Sequence, residues 1–331
     1  MFEIRDIDLT DEPSLHRWWE IHHDAQSDRP LDFAAPWEVA RVALPTPHPD
    51  FQVELFGAYE GEEMVGAGLV NLPMSDNLQM SYFDVYVDWA ARRRGIGTLL
   101  LEEVERRARA AGRARALVEV FAPPGGTSAG TAFSEARGYV VANREGAKAI
   151  DLASAEPGWA ALEAEVEAAR GDHRIVTWAG ACPDQYVEDL VAMLGGFMAM
   201  VPLGDLELED GEWTVERLRQ SESRAERIGQ SRFYAAALSP EGRLVGVADV
   251  RVSRQDPRIG YIGVTMVMPE ARGHRLGLGM KLATHRAVRA AYPGCAAIVT
   301  SNADVNTHMN AVNEVLGYRM LEQLLECQKS L

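Results

Sequence analysis

Short runs of apolar, β-branched and aromatic residues alternate along the chain with longer stretches in which apolar positions recur at helical spacing. Phe2 to Ile7 reads as a strand, and Leu15, Trp18, Trp19 and Ile21 mark a helix. Trp18 and Trp19 are adjacent on that helix, so one belongs to the core and the other is free to line a pocket. Pro30, Pro36, Pro45, Pro47 and Pro49 then leave room for at most one short helix. Val53 to Tyr59 and Met64 to Leu72 read as a hairpin turning at Glu60-Gly61-Glu62. Tyr82 to Val87 is the next strand, followed by a helix to Ala111 that Gly112 stops. Its apolar stripe is Ile96, Leu99, Leu100, Val104, Ala108 and Ala111, and Glu102 to Arg109 reads as a solvated, charged face. Ala116 to Phe121 is a strand, a shorter helix runs to Arg137, and Val140 to Leu152 supplies closing strands.

Glu156 to Asp172 reads as a helical joint, with Trp159, Leu162 and Val166 on one side. The order of elements then repeats. His173 to Ala179 is a strand, and Gln185 to Met200 and Thr214 to Gly229 are helices. Strands follow at Arg232 to Leu238, Leu244 to Val252 and Ile259 to Val267. Gly277 to Ala291 is a helix, Ala297 to Asn302 a strand, Asn306 to Leu316 a helix, and a final strand starts at Tyr318. The residues repeat too. At an offset of 180, Val87 falls on Val267, Trp89 on Pro269, Arg92 on Arg272 and Gly97 on Gly277. The same offset carries Met64-Val65-Gly66 onto Leu244-Val245-Gly246. A period this long marks a duplicated domain rather than a solenoid. Two α/β domains are expected, at 1–160 and 161–331, each a twisted mixed sheet flanked by helices.

In each half a strand runs through a basic, glycine-bearing turn into a helix. Such a turn is a ready anion site, because the first helical amides lack intrahelical acceptors and glycine lets a ligand approach the backbone. In the first half the turn is Arg92-Arg93-Arg94-Gly95-Ile96-Gly97, followed by Thr98. This stretch resembles the pyrophosphate-binding motif of the GCN5-related N-acetyltransferases, Arg/Gln-x-x-Gly-x-Gly/Ala, with Arg92, Gly95 and Gly97 in its defined positions. The element order βααβββαβαβ extends the resemblance over nearly the whole chain. The resemblance implies acetyl-CoA as cofactor, its pyrophosphate on the loop amides and its thioester along the preceding strand, at Val85, Tyr86 and Val87. In the second half it implies Met266, Val267 and Met268 for the strand, and Arg272, Gly273, His274, Arg275, Leu276 and Gly277 for the loop. There the first motif glycine is Arg275. A second register, headed by His274 with Gly277-Leu278-Gly279 as the glycine pair, stays open. Asn306 falls where the family has an asparagine against the cofactor arm; the first half has Thr127 there.

Acetyl transfer to an amine also needs a donor aimed at the thioester oxygen and an acceptor freed of its proton, since an alkylammonium (pKa about 10) has no lone pair. The family's tyrosine acid maps to Ser134 and Asn313, and its glutamate base to Ser81 and Tyr261, none suited to the task. Asp84, Glu119 and Ser134 are the candidate catalytic residues of the first half, and Asp249 is a strand carboxylate in the second. The expected activity is transfer of acetyl from acetyl-CoA to a primary amine on a small molecule, by direct attack in a ternary complex. The alternatives are a catalytically inert CoA-binding sensor or scaffold, and transfer of a longer acyl group. Gly95-Ile96-Gly97 lacks the third glycine and downstream acid of a dinucleotide fold.

Composition sets the outer bounds. The chain has 331 residues, 47% hydrophobic and 25% charged, enough for a core in each half. A formal charge of −16 argues against a nucleic-acid partner. No apolar run is long enough to span a membrane. Three cysteines at 182, 295 and 327 have neither metal nor redox spacing and suit a reducing cytoplasm. His22-His23-Asp24 is not at metal spacing and reads as surface; no metal is expected.

Overall fold

The computed structural model describes residues 1–31 and 34–331. The chain opens with strand β1 (Phe2–Asp6), helices α1 (Glu12–Asp24) and α2 (Trp37–Ala43), and strands β2 (Phe51–Glu60), β3 (Glu63–Pro73) and β4 (Met80–Val87). Next come α3 (Ile96–Ala110), β5 (Arg115–Ala122), α4 (Ala129–Ala136) and β6 (Val140–Asp151). After α5 (Leu152–Ala155) and α6 (Trp159–Ala169) the order recurs as β7 (Arg174–Ala179), α7 (Val187–Gly195), α8 (Val215–Arg227), β8 (Gln230–Leu238), β9 (Leu244–Ser253) and β10 (Ile259–Val267). It closes with α9 (Leu276–Ala291), β11 (Ala297–Ala303), α10 (Thr307–Leu316) and β12 (Arg319–Ser330). The expected helix from Gln185 to Met200 is shorter, ending at Gly195 before a single 3-10 turn at Met198–Met200. Gly195-Gly196 interrupts it, since glycine is a poor helix former.

These elements form two compact units, and neither is contiguous, unlike the division at 160/161. The first contains Met1–Arg144, Gly204–Glu209 and Leu324–Leu331; the second contains Glu145–Leu203 and Asp210–Gln323. In the first, the strands run β1-β2-β3-β4-β5, then the end of β12, then the start of β6. In the second they run β7-β8-β9-β10-β11, then the end of β6, then the start of β12. In the first unit β5 is thus followed by a segment from the far end of the sequence, and in the second β11 is followed by β6, from the middle of it. The expected pair of closing strands at 140–152 is one strand, because Gly146 keeps a negative φ and makes no turn.

In the first unit α3 covers one face of the sheet, where Ile96, Leu100, Leu101 and Val104 pack with Phe83, Ala116 and Val120. The stripe is rotated from the expected one: Leu101 is buried, Leu99 half-buried and Ala111 exposed. Glu105, expected on the solvated face, is buried as well. The Lys329 ammonium donates to it at 2.8 Å, from the chain's last strand. On the opposite face α1 presses Leu15, Trp18 and Ile21 against Leu55, Ala67 and Tyr86. Trp18 is the core tryptophan and Trp19 the half-buried one.

Candidate active site

The first loop leaves β4 through a 3-10 turn at Trp89–Ala91, capped by the Asp88 carboxylate, which accepts the Ala90 N–H at 3.0 Å. Arg17 holds Asp88 at 2.6 Å. Arg92 turns back on the loop. Its Nε donates to the Val87 carbonyl at 3.2 Å and its guanidinium lies 3.4 Å over the Trp89 ring. Arg94 is held by Glu60 at 2.5 Å, and Arg93 and Arg94 are both exposed while Arg92 is half-buried. Arg93 and Gly95 take the left-handed conformation, at φ 64° and 90°, and α3 starts at Ile96 with no side-chain cap. By contrast α4, α8 and α10 are capped by Ser128, Thr214 and Asn306. The first amides of α3, with Gly97 and Thr98 in its first turn, therefore remain for an anion.

The second loop repeats this path residue for residue. Arg272 Nε donates to the Val267 carbonyl at 3.3 Å, the 3-10 turn is Pro269–Ala271, and α9 starts at Leu276 without a side-chain cap. The left-handed positions are again two apart, Gly273 at φ 86° and Arg275 at φ 53°. Glycine and arginine have exchanged places between the loops. This fixes the register: Gly277 answers Gly97, and the alternative headed by His274 does not hold. Gly279 lies inside α9, where a Cβ would come 2.5 Å from Ile175 and 2.7 Å from Val166, and Leu278 is a core residue. His274 packs on the His173 ring at 4.7 Å, and Arg275 pairs with Glu165 at 2.6 Å. Asn306 accepts the Met309 N–H as the cap of α10; the corresponding cap in the first unit is Ser128, one residue after Thr127.

Beside each loop the sheet splits. β4 and β5 pair in parallel only from Met80–Tyr82 to Arg115–Leu117, and β10 and β11 only from Ile259–Tyr261 to Ala297–Val299. Beyond those pairs the strands part, so Val85, Tyr86 and Val87 lie on an open strand edge in one unit and Met266 and Val267 in the other. Met268 differs: its N–H is taken by the Val245 carbonyl at 2.8 Å.

The two units diverge on the face opposite the loop helix. In the first, alternation along β4 puts Tyr82, Asp84 and Tyr86 on the α1 side, and Glu119 and Phe121 of β5 share it. Burial raises the Asp84 carboxyl to about 6, although the Tyr86 phenol hydrogen-bonds to it. Burial beside Asp84 also holds the Tyr86 phenol protonated. The end of α1 reaches this split. Trp89 Nε1 donates to the Asp24 carbonyl at 2.9 Å, and the Arg29 guanidinium lies 3.6 Å over the Phe121 ring, so residues 24–29 cross from β4 to β5. His22, expected at the surface, is tucked beneath, its ring edge-on to Tyr86 at 4.8 Å and stacked on Trp18. Burial pushes its imidazole down to about 4. His22 and Arg29 escaped the sequence reading because polar residues at a helix end carry no period.

In the second unit the same positions, Val264 and Met266, join an apolar cluster with Val187, Leu190 and Leu218. Asp249 is spent on structure, accepting the Val264 N–H at 2.6 Å across a bulge in β10 and pairing with Arg251 at 3.1 Å. Ser134 is buried on α4, where its carbonyl accepts the Tyr139 N–H; Asn313 does the same for Tyr318. The Asn313 side chain is occupied by Lys281 at 2.6 Å and Asn302 at 2.5 Å. Ser81 is buried and donates to the Arg115 carbonyl, while Tyr261 is exposed. Among the described residues no histidine, cysteine and carboxylate cluster could hold a metal, and no helix is long and apolar enough to cross a membrane. All three cysteines are buried thiols.

Residues 15–128 match the acetyltransferase (GNAT) family. No curated protein matches the sequence. Among solved structures, the chain is similar over its full length to a tandem GNAT protein from the clavulanic acid biosynthesis pathway, at 23% identity, 98% coverage of that chain and a TM-score of 0.84. A GCN5-related N-acetyltransferase from Sphaerobacter thermophilus aligns with 99% of the chain and 95% of its own length, at 16% identity and a TM-score of 0.66. A GCN5-related glucosamine N-acetyltransferase region of a fungal multi-domain β-N-acetylglucosaminidase aligns with 99% of the chain and 38% of its own, at 13% identity and a TM-score of 0.68.

Proposed function

For a chain that has the tandem GNAT fold, with a GNAT-family acetyltransferase domain at residues 15–128, we propose that the first unit transfers acetyl from acetyl-CoA to a primary amine on a small molecule. The observation that carries this reading is Asp84, a half-buried carboxylate on the α1 side of the strand where it parts from its neighbour, beside a helix start that no side chain caps. Acetyl-CoA supplies an acetyl group activated as a thioester. The loop from Arg92 to Thr98 would hold its pyrophosphate on backbone amides, with Arg93 adding charge. Gly97 leaves that approach open, since a Cβ there would meet nothing closer than Phe133 at 3.5 Å. An open edge at Val85–Val87 offers backbone N–H groups to the thioester oxygen, where charge gathers as the amine attacks. Asp84 takes the proton the ammonium must lose. A carboxyl raised to about 6 is still mostly ionised at neutral pH and is a better proton acceptor than an ordinary one. Glu119, on the same face of β5, adds to the negative field that draws an ammonium in.

The second unit keeps the loop but fills the acceptor face with Val264 and Met266. This favours a CoA-binding or supporting role without turnover for that half. Calorimetric titration of acetyl-CoA into the wild type and the Gly97→Glu and Gly277→Glu variants tests both assignments. Loss of one binding event per variant supports two CoA sites. Loss only with Gly277→Glu would move the cofactor, and the chemistry, to the second unit. Absence of acetyl-CoA binding by the folded wild type would remove the enzyme reading.

A further inference from the structure

In the second unit α8, the end of β7 and the first residues of β8 line an open groove of about 520 Å³, a volume that suits a small molecule. The groove is separate from the loop that starts α9. Register places its Arg232 opposite Arg251, and Arg251 opposite Tyr261, near the start of β10. The loop leaves β10 beyond Val267, whose level on β8 is Ala237, roughly 17 Å along the strand from Arg232.

Most of the charge in the groove is internally matched. Arg219 pairs with Glu222 and with Asp184, each at 2.7 Å, and Glu222 also accepts the Cys182 N–H at 2.8 Å. Arg254 pairs with Glu226 at 2.9 Å. Arg232, half-buried on the groove wall, is held differently. Its Nε donates to Gln230 Oε1 at 3.2 Å, and Nη1 and Nη2 both reach the Ser221 hydroxyl, at 3.2 and 3.3 Å. The Tyr234 phenol also bonds to it. Each of these partners is neutral, whereas cations crowd it. Arg251 stands directly across on β9, a position where like charges destabilise a sheet, and the carboxylate there, Asp249, is paired with Arg251 at 3.1 Å. On α8 the Arg224 guanidinium is pushed below its ordinary value by burial first, then by the charges of Arg227 and Arg232.

An anion in the groove would offset this repulsion, and a guanidinium grips a carboxylate or a phosphate across its planar fork. The lining favours the carboxylate. Glu222 and Glu226 repel a dianion more than a monoanion, and Ala179, Ala181 and Ala225 give the rest of the molecule an apolar wall. We propose that the groove binds a small organic monocarboxylate, with its carboxylate on Arg232, and that the second unit thereby has a ligand other than acetyl-CoA. The inference does not depend on which unit acetylates.

The test is a ¹H–¹⁵N titration of the full chain with butyrate, with its neutral isostere butyramide, with inorganic phosphate and with sodium chloride. The expected result is a saturable shift of the Gly180, Ser231 and Arg232 amides with butyrate and none with butyramide or chloride. Affinity for butyrate should fall about tenfold or more in Arg232→Gln, while that variant binds acetyl-CoA as the wild type does. A wild type that answers butyramide as it answers butyrate, or butyrate only as it answers chloride, overturns the inference even if Arg232→Gln fails to fold. Phosphate binding more tightly than butyrate overturns the choice of a monocarboxylate. Unchanged butyrate affinity in folded Arg232→Gln removes Arg232 from the site, and loss of acetyl-CoA binding in that variant overturns the separation of the groove from the cofactor.

Discussion

The Tyr86 phenol and the Asp84 carboxylate, two residues apart on β4, share a hydrogen bond on the face of the sheet that α1 covers. The bond lowers the carboxyl's proton affinity and burial raises it. Burial prevails, leaving Asp84 at about 6. The pH dependence follows. As pH rises through about 6, Asp84 loses its proton and becomes able to accept another, so kcat/KM for acetyl transfer rises along a limb centred there. Asp84→Asn should lower kcat/KM by about a hundredfold or more and abolish that limb, while acetyl-CoA still binds by calorimetry. A limb unchanged in Asp84→Asn would assign it to another group.

Stability carries the same signature with opposite sign. A carboxyl with its folded pKa above the unfolded 3.8 binds more protons when folded, so its contribution is lost as pH climbs from about 4 to 6. Chemical denaturation at pH 4 and pH 7 should show this loss in the wild type and a smaller one in Asp84→Asn.

Lys281 provides the second pH prediction. It is fully buried on α9 with Asn313 as hydrogen-bond acceptor, and burial pushes its amine down to about 7. Its folded pKa lies below the unfolded 10.5, so the folded state holds fewer protons between the two values. Stability therefore falls as pH drops from about 10 to 7 and levels off below. Lys281→Met, similar in length and uncharged, should remove that slope and stabilise the second unit at pH 7 by about 1 kcal/mol or more. Urea unfolding at pH 7 and 9.5 gives the comparison.

The register of the second loop separates two glycines that lie two residues apart. Gly279→Ala puts a methyl 2.5 Å from Ile175 and 2.7 Å from Val166, and should cost about 1–3 kcal/mol. Gly277→Ala meets only Val267 at 3.8 Å. Its expected change in melting temperature is small, and any effect should fall on acetyl-CoA affinity. Equal destabilisation by both would contradict the register.

Removing Leu324–Leu331 should damage the first unit, although those residues stand at the far end of the sequence. The segment supplies Lys329 to Glu105, Glu326 to Asn143 at 2.7 Å, and the Leu331 N–H to the Ala114 carbonyl at 2.8 Å. Hydrogen exchange should quicken along β5 in the truncated chain. Undiminished protection there would contradict the strand order.

What could be read from the sequence was whatever repeats or alternates. The two loops announced themselves by the 180-residue offset, and the structure carries that offset down to the backbone: Arg92 and Arg272 bond equivalent carbonyls. The strands flanking them followed from β-branched runs. Glu105 was misjudged because a charged residue on a helix gives no sign that a distant lysine will cover it. The placing of His22 and Arg29 was invisible for a related reason, since it arises where a short irregular segment crosses between two strands. Strand exchange left no local mark either. Val140–Asp151 and Arg319–Ser330 are ordinary strand sequences, and nothing within a strand names its neighbour.

That exchange also sets an order on how the protein is made. A ribosome adding about 5–20 residues per second releases the first 144 residues well before Leu331. Until residues 324–331 emerge, β5 has an unpaired edge, the kind of surface that recruits stray strands. The first unit is thus closed only after nearly all of the second has been made, so that a chain stopped before residue 324 has its loop but no closed sheet behind it.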